Sequence, residues 1–455
     1  MRLLPLKPAL TILTLLALLK APDVIPAVKD YKVLDWRMIP TVIDFAPRPA
    51  SSVPIEDELS RLRPDRNLAS YEMHRIEGRE DALDRFYEAL RRTESREPGA
   101  VTRILHYGDS PATADMITGD ARRLLQQRFG DAGHGFCLMG KPWAWYEHTG
   151  VQLESSGWTM EAASQSKLAD GMFGLGGVVF QGQSGASTQI DLTEGEHTRL
   201  EVSFLRQPSG GAFTVEAEGK GIGTVDTAGP AVMADHTGFA IPPKARRFEI
   251  RVTTGTVRMF GVTFDNQAEG VSYDSLGLSG AHVTVLSRKF NEKHWSGELQ
   301  WRRPDLVIVN YGTNESAYAS FVDQSYAKEL GEIVRRIRAA APEASILLMS
   351  PMDRGHRDVG GDIATLPTIP RLATIQQRVA LETGCGFFNT YLAMGGSGTM
   401  GRWYQAEPRL VGADFIHPMP AGARIVGNLL YQALLDGYKR FNARRAQESG
   451  VRSGE

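Results

Sequence analysis

Five times along the chain a short, unbroken apolar run gives way to a stretch with helical spacing. This alternation restricts the fold more than any other feature. The strand expected at 102–107 leads to a helix at 112–129, and the strand at 271–275 to a helix at 281–300. "PDLVIVNYG" (304–312) leads to a helix at 324–340, and "ASILLMSP" (344–351) to one at 369–383. "CGFFNTYLAM" (385–394) precedes a closing helix at 420–440. Strands that are apolar at every position, rather than at alternate ones, are buried on both faces. The expected class is therefore α/β, a doubly wound (flavodoxin-like) parallel sheet. A further helix comes first, with Leu83, Phe86, Tyr87 and Leu90 at i, i+3, i+4 and i+7. Sites in such sheets lie beyond the carboxyl ends of the strands. Gly108–Ser110, Gly277–Gly280, Gly312–Asn314 and Pro351–Asp353 all fall there.

From about 135 to 267 the rhythm changes. "TRLEVSFL", "AFTVEAE", "RFEIRVTTG" and "VRMFGVTF" alternate apolar and polar residues between Gly, Pro and Asp turns. Many of the 47 glycines also fall between 130 and 280, which suits a turn-rich β region. The reading is a β-sandwich inserted after the first helix of the α/β domain. With 455 residues, more than one domain is expected. The partition is a signal peptide or anchor at 1–22, a Pro-rich arm at 23–76 and a discontinuous α/β domain at 77–134 and 268–445. The β insert spans 135–267, and a tail spans 446–455. Within the insert "GMFGLGG" and "GKGIG" read as turns, since neither stands between a strand and a helix. Trp143, Trp145, Tyr146 and Trp158 suit the core of a sandwich better than a sugar-stacking surface, though both readings stand.

The N-terminus carries Arg2 and Lys7, then a nearly unbroken apolar stretch from Pro8 to Leu19. A bilayer span needs about 20 apolar residues, so this stretch suits a secretory signal better than a stable anchor. Export to a bacterial periplasm or cell envelope is the expectation. Any membrane association would come through this segment. A net charge of −2 with no long basic run gives no footprint for nucleic acid. Cys137 and Cys385 are the only cysteines; they form no disulfide framework and no zinc-ligand spacing. Pairing between them and two separate buried thiols both remain open.

"ILHYGDSPATADMITGDARRLL" (104–125) ends an apolar run in Gly108-Asp109-Ser110 and then turns helical. A serine there can be a nucleophile if a base takes its proton and donors wait for the oxyanion. The base is usually a His held by a carboxylate. No G-x-S-x-G elbow occurs. Asp-x-x-His does, three times: Asp131/His134, Asp353/His356 and Asp414/His417. The first follows a helix, at the wrong end of the sheet for Ser110. The other two both compete, and the pair before the closing helix, stiffened by Pro418 and Pro420, is favoured only slightly. Candidate oxyanion donors are the Ser110 N–H, the Asn314 side-chain amide in "NYGTNES" and Gly280 (or Gly277) in "SLGLSGA". His106 and His282 read as packed neighbours of these blocks.

Taken in order, GDS at 108–110, the glycine block at 277–280, GTN at 312–314 and D-x-x-H at 414–417 resemble the SGNH (GDSL-type) hydrolases. "YDSLGLSGA" and "VNYGTNES", with the β insert between the first two blocks, are similar to the peptidoglycan O-acetylesterases of that superfamily. Those enzymes carry a carbohydrate-binding-module-like jelly roll in that place. The resemblance covers about 100–130 and 268–440. It implies Ser110 as nucleophile, His417 as base and then acid, and Asp414 as its orienter, with Ser110, Gly280 and Asn314 forming the oxyanion hole. It also favours Asp414/His417 over Asp353/His356. Pro111 replaces the leucine of the family name, and Glu315 stands where many members have Asp. The implied function is an exported carbohydrate O-acetylesterase acting on an O-acetylated glycan, peptidoglycan favoured, with no metal or cofactor. A polysaccharide O-acetyltransferase with the same acyl-serine, or a non-catalytic glycan-binding protein, are the alternatives.

Overall fold

The computed structural model describes Tyr71 and residues 73–266 and 268–452, with side chains through Glu448. The expected signal peptide or anchor at 1–22 and most of the Pro-rich arm at 23–76 lie outside the described residues. In chain order the elements begin with α1 (Asp84–Glu94), β1 (Val101–Gly108), α2 (Met116–Phe129) and β2 (Gly133–Cys137). Next come β3 (Val151–Ala162), β4 (Val178–Leu192), β5 (Arg199–Arg206), β6 (Ala212–Ala217) and β7 (Lys220–Asp226). They are followed by β8 (Met233–Ala240), β9 (Arg247–Thr254), β10 (Thr256–Asp265) and β11 (Gly270–Gly277). Then follow α3 (Glu292–Arg302), β12 (Leu306–Asn310), α4 (Ala319–Gln324), α5 (Tyr326–Ala340) and β13 (Ser345–Met349). The chain continues with β14 (Gly355–Arg357), β15 (Ile363–Thr365), α6 (Thr368–Thr383) and β16 (Gly386–Phe388). It closes with α7 (Thr390–Ala393), α8 (Thr399–Gln405) and α9 (Pro420–Arg452).

Five strands form a parallel sheet in the order β11-β1-β12-β13-β16. Each strand sends alternate residues to opposite faces. Ile104, Ile308 and Leu347 pack with Phe86 of α1, Leu125 of α2 and Leu430 and Leu434 of α9. Leu105, Val307 and Leu348 pack with Trp295 of α3, Ile333 and Ile337 of α5 and Leu372 of α6. Helices cover both faces, which is why β12 and β13 are almost wholly apolar, whereas β1 and β11 also bury Thr102, His106, Ser272 and Asp274.

The strands from β2 to β10 form a separate antiparallel sheet with β7-β6-β9-β4-β10-β5-β8 as its path. The alternating pattern suggests two stacked sheets. In the structure hydrogen bonding instead runs continuously through one nearly closed sheet. The 15-residue β4 pairs with β3, β9 and β10, and β10 also takes β2 and β5. Chain entry and exit lie side by side, since Asn266 N donates to Ala132 O at 3.0 Å. Phe136, Val262 and Phe264 share one apolar core with Leu105 and Leu276 of the parallel sheet.

Several expected helices are interrupted, each by a local competitor. The run at 281–300 holds a π-type turn at Val285–Lys289 and restarts where Asn291 caps His294 N at 3.0 Å. "CGFFNTYLAM" is a strand only through Phe388, because Asn389 caps Leu392 N and starts α7. α9 runs through the segment read as a tail. Ala443 to Glu448 are strong helix formers, and Arg444 bonds Asp84 of α1 at 2.5 Å. Cys137 and Cys385 are both buried and free.

Candidate active site

Ser110 lies just past the carboxyl end of β1, in a three-residue 3-10 turn, Ser110–Ala112. The sequence places it at the mouth of the α-helix; the helix proper starts only at Met116. Asp115 explains the delay. It sits at φ +53, and its carboxylate is held by Arg122 at 2.6 Å, Thr118 at 2.7 Å and Thr149 N at 2.9 Å. The glycines act by close approach rather than by special dihedrals. A Cβ on Gly108 would meet Ala112 Cβ at 3.1 Å, and one on Gly277 would lie 2.5 Å from Ala112 C. Two side-chain-free strand ends let the serine turn settle on the sheet.

The turn before α9 brings its partners from the far end of the chain. His417 Nε2 lies 2.8 Å from Ser110 Oγ, and His417 Nδ1 lies 2.5 Å from Asp414 Oδ2. Asp414 Oδ1 accepts the backbone N–H groups of Ile416 and His417 at 3.0 and 3.1 Å. Partial burial works to raise the Asp414 pKa, but the His417 hydrogen bond and these two N–H donors pull it down to about 2. The loop is pinned by Phe415 at φ +58. Its carbonyl accepts from Gly355 N at 2.9 Å, and its ring packs edge-on to Tyr404 and beneath Arg357. The Asp414 and His417 side chains remain 46% and 47% exposed, so the reacting groups are open to a large substrate.

The two other Asp-x-x-His pairs are not assembled. Asp131 accepts from Gly133 N, while His134 Nε2 faces Glu194 O. Asp353 is buried and accepts the N–H groups of Arg354 and Met400, both at 2.9 Å. His356 belongs to the β14–β15 hairpin, and its Nδ1 is buried without a hydrogen-bond partner.

Three donors face the same end of the sheet. Among the described residues the Ser110 and Gly280 N–H groups donate to no protein acceptor. Gly280 is exposed at φ +66 with nothing within 4 Å of where a Cβ would stand, whereas Gly277 is filled by packing. Asn314 spends one amide hydrogen on Ala281 O at 2.8 Å and keeps the other.

Behind these groups lie two carboxyls to which the sequence alone assigns no role. Asp109 is buried and accepts from Thr313 N at 3.0 Å and Thr313 Oγ1 at 3.1 Å. Burial pushes its pKa up to about 6 against those bonds and the nearby His417. Glu315 is fully buried and accepts from Val283 N. Arg354 ties a fourth loop to the same place, donating to Thr313 O at 2.9 Å and Ser316 Oγ at 3.0 Å. His106 is buried against Tyr273 OH at 2.7 Å, and His282 is half-buried beside Tyr318. Trp143 and Tyr146 are core residues, Trp158 is half-buried, and Trp145 is 55% exposed. No cluster of metal-ligating side chains occurs among the described residues.

Residues 253–425, which include Gly280, Asn314, Asp414 and His417, match the GDSL-like lipase/acylhydrolase family. A solved structure of a peptidoglycan O-acetylesterase superimposes with a TM-score of 0.68 at 25% identity, covering 80% of this chain and 98% of that one. Over these residues the chain is an SGNH (GDSL-like) hydrolase. It is a carboxylic ester hydrolase that resembles the O-acetylesterases. A family two carbohydrate esterase from Clostridium thermocellum in complex with cellohexaose overlaps more loosely. It has 13% identity and a TM-score of 0.30 over 62% of this hydrolase and all of that chain. No curated protein matches the hydrolase in sequence.

Proposed function

We propose that this esterase removes O-acetyl groups from a cell-wall polysaccharide, peptidoglycan in the first place, through an acyl-serine intermediate. The observation that carries the chemistry is the continuous hydrogen-bonded series Ser110–His417–Asp414. Ser110 Oγ attacks the acetyl carbonyl as its proton passes to His417 Nε2. Asp414 holds the ring through Nδ1 and steadies the imidazolium. Negative charge on the former carbonyl oxygen is met by the N–H groups of Ser110 and Gly280 and the free amide hydrogen of Asn314. Collapse breaks the bond to the sugar oxygen, which leaves with the proton from His417. Water, deprotonated by His417, then attacks the acetyl-serine, and acetate departs with Ser110 regenerated.

The choice of substrate rests on likeness to the peptidoglycan O-acetylesterase and on the open site, which suits a polymer better than a buried tunnel would. A location in the cell envelope follows from the same substrate and from the apolar N-terminal segment. The test is acetate release from p-nitrophenyl acetate and from O-acetylated peptidoglycan by wild type, Ser110→Ala, His417→Ala and His356→Ala. Loss in the first two variants with retention in the third is expected. An inactive His356→Ala beside an active His417→Ala would overturn the assignment. Acetate appearing on an added glycan, in place of free acetate, would make the enzyme a transferase.

A further inference from the structure

We propose that Glu315 is the positioning residue of the oxyanion site, its buried carboxyl anchoring the loop that carries Gly280 to the loop that carries Asn314. This rests on the reading of Ser110 as nucleophile given above. The three donors come from three separate loops, and each junction is sewn by side chains. Asp109, next to Ser110, accepts from Thr313 N and Oγ1. On the other side two bonds cross between 314–315 and 281–283. Asn314 Nδ2 donates to Ala281 O, and Val283 N donates to Glu315 Oε1.

The Gly280 loop needs such an anchor. Gly280 is exposed, and no atom lies within 4 Å of its Cβ position, so packing alone does not fix where its N–H points. Three residues on, Val283 is buried, and its N–H is held by Glu315. Oxyanion stabilisation depends on donors that are in place before the charge develops. A glutamate also has the reach. An aspartate at 315 would be one methylene shorter and would fall short of Val283 N.

The carboxyl is buried near Tyr311, Tyr326 and Asp109, with Arg354 held on the neighbouring Thr313 and Ser316, and its Oε2 has no hydrogen-bond partner. Burial, with Asp109 adding to it, pushes its pKa up to about 8 in spite of the Val283 N–H. At neutral pH the anchor is uncharged and does not oppose the developing oxyanion. At alkaline pH it ionises and does oppose it.

The experiment compares kcat and KM for p-nitrophenyl acetate, from neutral to alkaline pH, in wild type, Glu315→Ala, Glu315→Asp, Glu315→Gln and Ser110→Ala. Glu315→Ala should lower kcat about 10- to 100-fold with KM within about twofold, since a donor is misplaced rather than binding lost. Glu315→Asp should fall between Ala and wild type. Glu315→Gln keeps the acceptor oxygen and should restore most of kcat while removing the alkaline decline. Wild-type kcat in Glu315→Ala, or a change confined to KM, overturns the proposal. Should Glu315→Ala fail to fold, Glu315→Asp decides: wild-type kcat there, where the shorter side chain cannot reach Val283 N, overturns it. Activity surviving in Ser110→Ala overturns the site reading itself, and the proposal with it.

Discussion

Asp353-x-x-His356 and Asp414-x-x-His417 share a spacing, and each leaves a β-strand or turn at the catalytic end of the sheet. Only one becomes a hydrogen-bonded pair. At 414 the carboxylate accepts two N–H groups of its own turn through a single oxygen, which leaves Oδ2 for the imidazole. At 353 the two backbone donors are split, Arg354 N on Oδ1 and Met400 N on Oδ2, and the second ties the carboxylate to α8. His356 is meanwhile committed to a two-stranded hairpin. The two acids accept equal numbers of backbone donors, and what separates them is where those donors and the histidine's own strand hold each partner. Spacing proposes such a pair, and the surrounding N–H groups decide it.

The contrast can be broken most sharply at its end point. Ser110→Ala and His417→Ala should each reduce kcat/KM for acetate release by about 10⁴- to 10⁶-fold. Asp414→Asn keeps an acceptor for the turn yet loses the charge that steadies the imidazolium. A fall of about 10⁴-fold in kcat is expected, read by stopped assays at saturating ester. At the other turn the loss should appear in stability. Asp353→Asn puts an NH2 against one of two backbone donors and should cost about 1–3 kcal/mol by urea unfolding. Its kcat per folded molecule should stay within about twofold of wild type. A dead but stable Asp353→Asn would erase the distinction.

The finest test is titration. Asp414 has a folded pKa below its unfolded value, so its stabilisation is present above about pH 4 and drains away as pH falls toward 2. Asp353 is raised, by burial first, over the opposing N–H groups of Met400 and Arg354. Its contribution has the opposite sign: it weakens the fold as pH rises above the ordinary aspartate range. Carboxyl-carbon NMR of the two residues should show shifts in opposite directions. A shared direction would mean that the two carboxylates are not differently solvated.

The parallel sheet was legible because strands covered on both faces leave unbroken apolar runs, as in 306–310 and 345–349. The continuity of the antiparallel sheet was not. It depends on β4 and β10 each taking three partners, β2 and β10 pairing from more than 100 residues apart, and alternation reports only which face is buried. Ser110, Asp414 and His417 could be nominated because each residue type has a narrow chemical use and the blocks stand in a recognisable order. Asp109 and Glu315 could not be weighed in the same way. Nothing local marks an acid as buried when its burial arises where three loops meet. "KPWAWYEH" shows the same limit, since neighbours in one short stretch divide between core (Trp143, Tyr146) and surface (Trp145).

The separation of 307 positions between Ser110 and His417 also bears, on the proposed roles, on when this enzyme can first act. At typical synthesis rates the base follows the nucleophile by about 15–60 s. Throughout that interval a growing chain displays a serine with no proton acceptor. The parallel sheet can already be pairing its strands, yet no ester can be cleaved until the last turn before α9 has been made and closed over the first. A chain cut anywhere short of residue 417 would lack the proposed base. On the proposed roles, activity would require synthesis to have passed His417.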